Sequence, residues 1–305
     1  MNPITKKLID FVSDVKEDFK GAYHIRENGK NIECHSSDHI TITDKVNHPG
    51  LNVVVQDGTV HETVCVPATV TVGGLDDIVR NDFTIGDNCD ITIVSGCGVH
   101  TEDEGRARHD GVHHFVIGKN SKVKYVEKHI GTGSGKGEKT INPQSFIHMM
   151  ENSFLEMDVV QISGVDVAKR STKVTLEKGA KLIVHERLFT QGNEKVDTDF
   201  VVELNGENSS ADVVSRTVAR DESYQNFTST LIGNAACTGH SECDSIIDEN
   251  AIVDSTPRLV AKCKEASLIH EAAIGKIAGE QIVKLQTFGL SQEEAENQII
   301  DGFLA

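Results

Sequence analysis

Short runs of β-branched residues recur along the chain, among them Val53-Val54-Val55, Thr69-Val70-Thr71-Val72 and Ile91-Thr92-Ile93-Val94. Branched side chains suit a pleated, half-buried surface, so these runs predict strands of about four or five residues. A turn-plus-strand phrase also repeats. It reads Ile85-Gly86-Asp87-Asn88-Cys89-Asp90-Ile91, then Ile117-Gly118-Lys119-Asn120-Ser121-Lys122-Val123, and returns in looser form around Asn152, Gly179, Asn208 and Asn234. The steps between these markers are 32, 32, 27, 29 and 26 residues. An irregular period of this length suits coils of a β-solenoid, whose turns accept insertions while each strand stacks on its equivalent one coil away. A β-sandwich of hairpins is the alternative, and the scarcity of two-residue Asn-Gly or Asp-Gly turns counts against it.

The two ends change rhythm. Ile4, Leu8, Phe11, Val12, Val15 and Phe19 fall at helical spacing and predict a short amphipathic helix over residues 4 to 20. After about Ser267, Ile274, Ile277, Ile282 and Leu285 also follow a helical rhythm, and Ser291-Gln292-Glu293-Glu294 predicts a capping box opening a second helix. The expected organisation is an N-terminal helical segment (1–30), a solenoid core (31–268) and a C-terminal helical segment (269–305).

Composition narrows the function classes. Trp is absent, aromatic residues are 5% and Gly numbers 26 in 305 residues, which fits thin repeated layers better than a thick interior. The formal charge of −17 sets the chain's own field against general nucleic-acid or anionic-membrane binding, so proteins and cations are the expected partners. No apolar run reaches the roughly 20 residues of a membrane span, and charges interrupt the first 20 positions, so a cytoplasmic protein is expected. The 7 Cys residues are scattered without a C-x-x-C pair, as for free thiols in a reducing compartment.

Several motif fragments fail on spacing. The loop Gly131 to Thr140 imitates a phosphate loop, but Lys136 is followed by Gly137 and position 130 is Ile. His61-Glu62, His185-Glu186 and His270-Glu271 lack the second His of a zinc-protease helix, and His240-Ser241-Glu242 lacks the Cys pair of a zinc deaminase. A denser group, Glu102, Asp103, Glu104, His109, Asp110, His113, His114 and His129, has the side chains of a metal site, yet adjacent His113 and His114 would face opposite sides of a strand.

The C-terminal third carries a specific resemblance. Glu242-Cys243-Asp244-Ser245, Leu268-Ile269-His270-Glu271-Ala272, Ile274-Gly275-Lys276-Ile277 with Glu280-Gln281-Ile282, and Gly289-Leu290-Ser291 through Gly302-Phe303 follow in the order found in the SufB/SufD family of iron–sulfur assembly scaffolds. The chain resembles that family strongly here and more weakly over most of its length.

The resemblance implies a right-handed parallel β-helix with helical ends, pairing of scaffolds through their β-helices, and binding of a SufC-type ABC ATPase through the terminal helices. It implies a transient iron–sulfur cluster and iron as cargo, supplied by a sulfur-donor protein and passed to apo acceptor proteins. Carried onto this chain, the family's site residues are Cys243, Glu271 and His270, with the His contributed by the partner subunit. A Cys in the Cys-Asp-Ser phrase makes the chain SufB-like, and its possession of all three side chains makes a homodimer able to supply both halves of a site. The short chain implies a compact homologue in which flavin binding is doubtful.

The chemistry is coherent on its own terms. A thiolate is a soft iron ligand and can accept sulfur as a persulfide, while imidazole and carboxylate complete an exchangeable shell. The plainer readings are a packed thiol at Cys243 and a helix-start pair at His270 and Glu271. Cys237 and Cys263 are expected to pack in neighbouring coils. A β-helix polysaccharide lyase or hydrolase and a purely structural oligomerisation module are the alternative functions.

Overall fold

The computed structural model describes residues 1–13, 19–162 and 164–304. Helix α1 (Pro3–Val12) is followed by β1 (Ala22–Glu27), β2 (Lys30–His35), β3 (Ile40–Asp44), β4 (Leu51–Val55), β5 (Val60–Cys65), β6 (Ala68–Val70) and β7 (Leu75–Ile85). The longer strands then begin: β8 (Asp90–His100), β9 (Ala107–Ile117), β10 (Lys122–Thr132), β11 (Lys139–Ile141), β12 (Gln144–Met149), β13 (Phe154–Ile162) and β14 (Val167–Leu176). They continue with β15 (Lys181–Thr190), β16 (Lys195–Leu204), β17 (Ser210–Ala219), β18 (Tyr224–Gly233), β19 (Thr238–Ile247), β20 (Ile252–Ala261) and β21 (Ser267–Gly275). Helices α2 (Gly279–Gln286) and α3 (Gln292–Phe303) end the chain.

From β4 onward the chain passes back and forth between two sheets, with β5 and β6 together in one and β11 and β12 together in the other, and each strand pairs in parallel with the strand one coil away. One sheet is 11-stranded and ends β15-β17-β19-β21; the other is 10-stranded and ends β16-β18-β20. The result is the β-solenoid that the repeat predicts, with about 8 turns. The hairpin alternative fails because β1/β2 and β3/β4 are the antiparallel pairs among the described strands.

The marker residues make the turns. Asn88, Asn120, Asn152 and Asn208 all hold φ between 55° and 60°, the left-handed region that Asn tolerates and Gly179 enters without a Cβ penalty. Their side chains also stack: the Asn120 amide donates to Asn88 Oδ1 at 3.3 Å, and that of Asn152 donates to Asn120 Oδ1 at 3.5 Å.

Alternation along each strand builds the core. Strands β15 and β16 share a strict exposed-or-half-buried then buried pattern, placing one set of side chains in the lumen and the other in solvent. Register stacks the inward set in columns such as Ile93, Tyr125, Met157, Val184 and Val213. Each column buries apolar area against the coils above and below it, so the core is long and narrow.

The ends differ from the sequence expectation in two respects. The N-terminal helix is described over Pro3–Val12, and the predicted continuation through residues 14–18 lies outside the described residues. Helix α1 lies against β8, where Gly96 leaves room for it: a Cβ there would meet the Val12 carbonyl oxygen at 2.2 Å. At the other end, residues expected to begin a helix near 269 form the strand β21, so the sheet continues to Gly275 and the helices begin at Gly279. The stacking of β21 on β19 through nine register pairs outweighs the weak helical spacing of Ile274 and Ile277. The Ser291 capping box forms as predicted.

Candidate functional site

Strand β19 turns Ser241, Cys243 and Ser245 into the lumen and His240, Glu242 and Asp244 outward. Cys243 is fully buried. Burial pushes its thiol pKa up, against the opposing effect of hydrogen bonds to Ser255 and Ser245. The neighbouring β21 pairs Ser241 with His270, Glu242 with Glu271 and Cys243 with Ala272. By strand parity His270 shares the inner face with Cys243, one diagonal step away, whereas Glu271 lies on the outer face.

The structure therefore brings two of the three expected site residues to one side of the sheet within a protomer and places the third on the other. His270 stands in a strand, not at a helix start. Its ring nitrogens are buried, the Ser241 backbone is its nearest polar neighbour, and burial lowers its pKa, which favours the neutral imidazole. Glu271 is 69% exposed in its side chain and lies 3.6 Å from His240 Nε2.

This region is the open end of the solenoid. β20 and β21 are the last strands of their sheets, and their residues are mostly exposed, including Leu259, Ile269 and Ile274. Long unpaired edges of this kind are templates for pairing with another chain. Cys237 packs in the core as expected; Cys263 does not, being half-buried with its thiol donating to Glu265 at 3.0 Å.

A second concentration of chemistry lies inside the lumen, and the sequence reading did not assemble it. Arg26 clamps Asp77 with two bonds of 2.7 and 2.8 Å, and Asp77 lies 3.3 Å from His109 Nδ1. Cys97 faces His109 and His129. Burial alone would raise its pKa, but the two rings overcome this and bring it down to about 6. Burial would likewise lower the His109 pKa; the facing thiolate and Asp77 raise it to about 10.

His129 then contacts Glu127 at 3.3 Å and accepts from Arg170 at 3.1 Å. Arg170 also bonds Glu127 and lies 3.5 Å from Glu186, which accepts from Thr198 and Ser215. Register stacks Glu186, Ser215 and Cys243 in one inner column. A buried polar seam thus runs along the core from Cys97 toward Cys243.

The sequence carried a signal for part of this seam. Cys97 and His129 are one 32-residue step apart, the same step that separates Asn88 from Asn120, and they are register partners. The Glu102 to His114 group, by contrast, does not converge: His109 and His113 are buried, while His114 lies on the outer side beside Asp82. The Gly131 to Thr140 loop joins β10 to β11 with no helix after it, so the phosphate-loop resemblance has no structural counterpart.

The family profile described as "SUF system FeS cluster assembly, SufBD core domain" matches residues 76–303. The chain belongs to the SufBD family. Relatives named iron–sulfur cluster assembly SufBD family protein include one from Archaeoglobus fulgidus, 30% identical over 74% of this chain and 60% of its own length. Another, from Methanothermobacter thermautotrophicus, is 28% identical over 72% of this chain and 53% of its own. A third, from Methanocaldococcus jannaschii, is 26% identical over 77% and 74%. The chain thus spans little more than half the length of the first two. The SufBD match covers the solenoid from β7 onward and both C-terminal helices, including Cys97, Cys243, His270 and Glu271. No described helix is long and apolar enough to cross a membrane.

Proposed function

We propose that this chain is a non-catalytic scaffold on which a transient iron–sulfur cluster is built and released, working with a SufC-type ABC ATPase. The observation that carries this reading is the position of Cys243. It is a buried thiol on the same inner face as His270, one diagonal step away on the neighbouring strand, in the coil next to the open end. Thiolate and imidazole suit iron and sulfide cargo, and a mixed donor set releases a product more readily than an all-thiolate cage.

In this proposal two copies pair through the edge strands β20 and β21, as a homodimer. The hairpin of α2 and α3 docks the ATPase. Because β21 covers Cys243, motion transmitted through the adjoining helices uncovers the thiol for a sulfur donor and later for an apo acceptor. Glu271 joins the iron shell from the edge strand once β21 has moved, since the resting sheet separates it from Cys243.

Anaerobic reconstitution with iron and sulfide tests the reading. A thiolate-to-iron charge-transfer band is expected, weakened by Cys243→Ala. An unchanged band in that variant removes Cys243 from the site. Co-expression with an ABC ATPase from the same genome should give a complex that is lost on deleting residues 278–305, and independent migration of the two intact proteins rejects the docking.

A further inference from the structure

We propose that His240, Glu242 and Glu271 form a site for one divalent first-row transition-metal ion on the outer face of the last coil, with Asp212 orienting the imidazole.

One ligand atom from each of the three residues lies within 4.8 Å of the others, a convergence found nowhere else among the described residues. The imidazole is already turned for the task. Its Nδ1 pairs with Asp212 Oδ1 at 2.8 Å, which leaves Nε2 directed at Glu271 Oε2, 3.6 Å away. A carboxylate behind the ring, fixing its tautomer and direction, is the usual support of a metal-bound histidine. Asp212 and His240 are register partners on β17 and β19, so the support is held by the ladder itself.

Glu242 and Glu271 are register partners on one face, and like charges directly opposite each other destabilise a sheet. A cation between them turns that repulsion into attraction. One nitrogen and two carboxylate oxygens suit ferrous, manganous, cobaltous or zinc ions better than soft cuprous ion. Three protein ligands leave positions for water or an incoming group. The site shares Glu271 with the assembly proposal but requires neither Cys243 nor a second chain.

Anaerobic titration of the full chain with Co2+, followed by absorption and calorimetry, provides the test. One ion per chain is expected, with visible ligand-field bands and without the near-ultraviolet band of thiolate ligation. His240→Ala and Glu242→Gln should each weaken binding more than about 10-fold, and Asp212→Asn about 10-fold, with thermal unfolding unchanged. Glu280→Gln, on the exposed α2, should bind as the unaltered chain does. Equal affinity in His240→Ala, or a strong thiolate band, overturns the proposal. Cobalt binding that persists when no Cys243-dependent cluster forms counts against the assembly reading alone.

Discussion

Cys243 and Glu271 stand on neighbouring strands, one register position out of step, and face opposite sides of the same sheet. The thiol is sealed in the lumen while the carboxylate meets solvent, so the two acquire common access only at the edge of β21. Alkylation of the intact chain under native conditions should modify exposed Cys34 and half-exposed Cys263 quickly and leave Cys243 protected. Peptide mass spectrometry reads the order. Labelling of Cys243 at the rate of Cys34 would show that the last coil does not cover it.

Arg170 is the buried cation on which Glu127, Glu186 and His129 converge. Removing one partner of a buried pair leaves an uncompensated charge, so Arg170→Met should cost about 3–5 kcal/mol, measured by urea unfolding. The double replacement Arg170→Met with Glu127→Leu should recover part of that loss. If the single variant loses under about 1 kcal/mol, the seam contributes little to stability.

Asp77 and Glu127 are held well below the ordinary carboxylate range. Burial opposes this in both, but His109 and Arg26 override it at Asp77, and Arg170 and His129 at Glu127. A depressed acid contributes stability that is full above its unfolded value, about 4, and is lost as pH falls through the folded one. His109, raised to about 10, has the opposite sign: its contribution is full below the ordinary imidazole range and is lost as pH rises through about 10. Unfolding midpoints should therefore fall at both extremes. Asp77→Asn should flatten the acid limb, and parallel acid limbs in the two proteins would contradict the pairing.

Cys97 should be a thiolate at neutral pH. Burial raises the pKa of Cys34, Cys237 and Cys243, whereas His109 and His129 bring Cys97 down to about 6. Thiolate absorption in the far ultraviolet should show a step near pH 6 that disappears in Cys97→Ala and moves upward in His109→Gln. A step that survives Cys97→Ala belongs to another thiol.

Helix α1 depends on the missing side chain at Gly96. A methyl group there meets the Val12 carbonyl and side chain, and neither can move without lifting the helix from β8. Gly96→Ala should cost about 1–3 kcal/mol, with faster hydrogen exchange in residues 3–12. Unchanged exchange would mean that α1 is held elsewhere.

Much of the architecture was local and therefore legible in the sequence. The step from Asn88 to Asn120 to Asn152 marks residues that enter the left-handed region, and strands such as β10 and β14 alternate between lumen and solvent. The Cys-Asp-Ser and His-Glu-Ala phrases pointed to Cys243, His270 and Glu271 for the same reason: each phrase is contiguous. Strand parity separates neighbours within a phrase, but it does not say which strands stack or in what register. The tertiary structure alone placed Glu271 across the sheet from Cys243, drew residues 267–275 into a strand, and closed His240, Glu242 and Glu271 together. It also set two imidazoles against Cys97. Those outcomes depend on stacking between residues about one coil apart, where hydrogen bonding and burial along a whole ladder override the preference of any single segment.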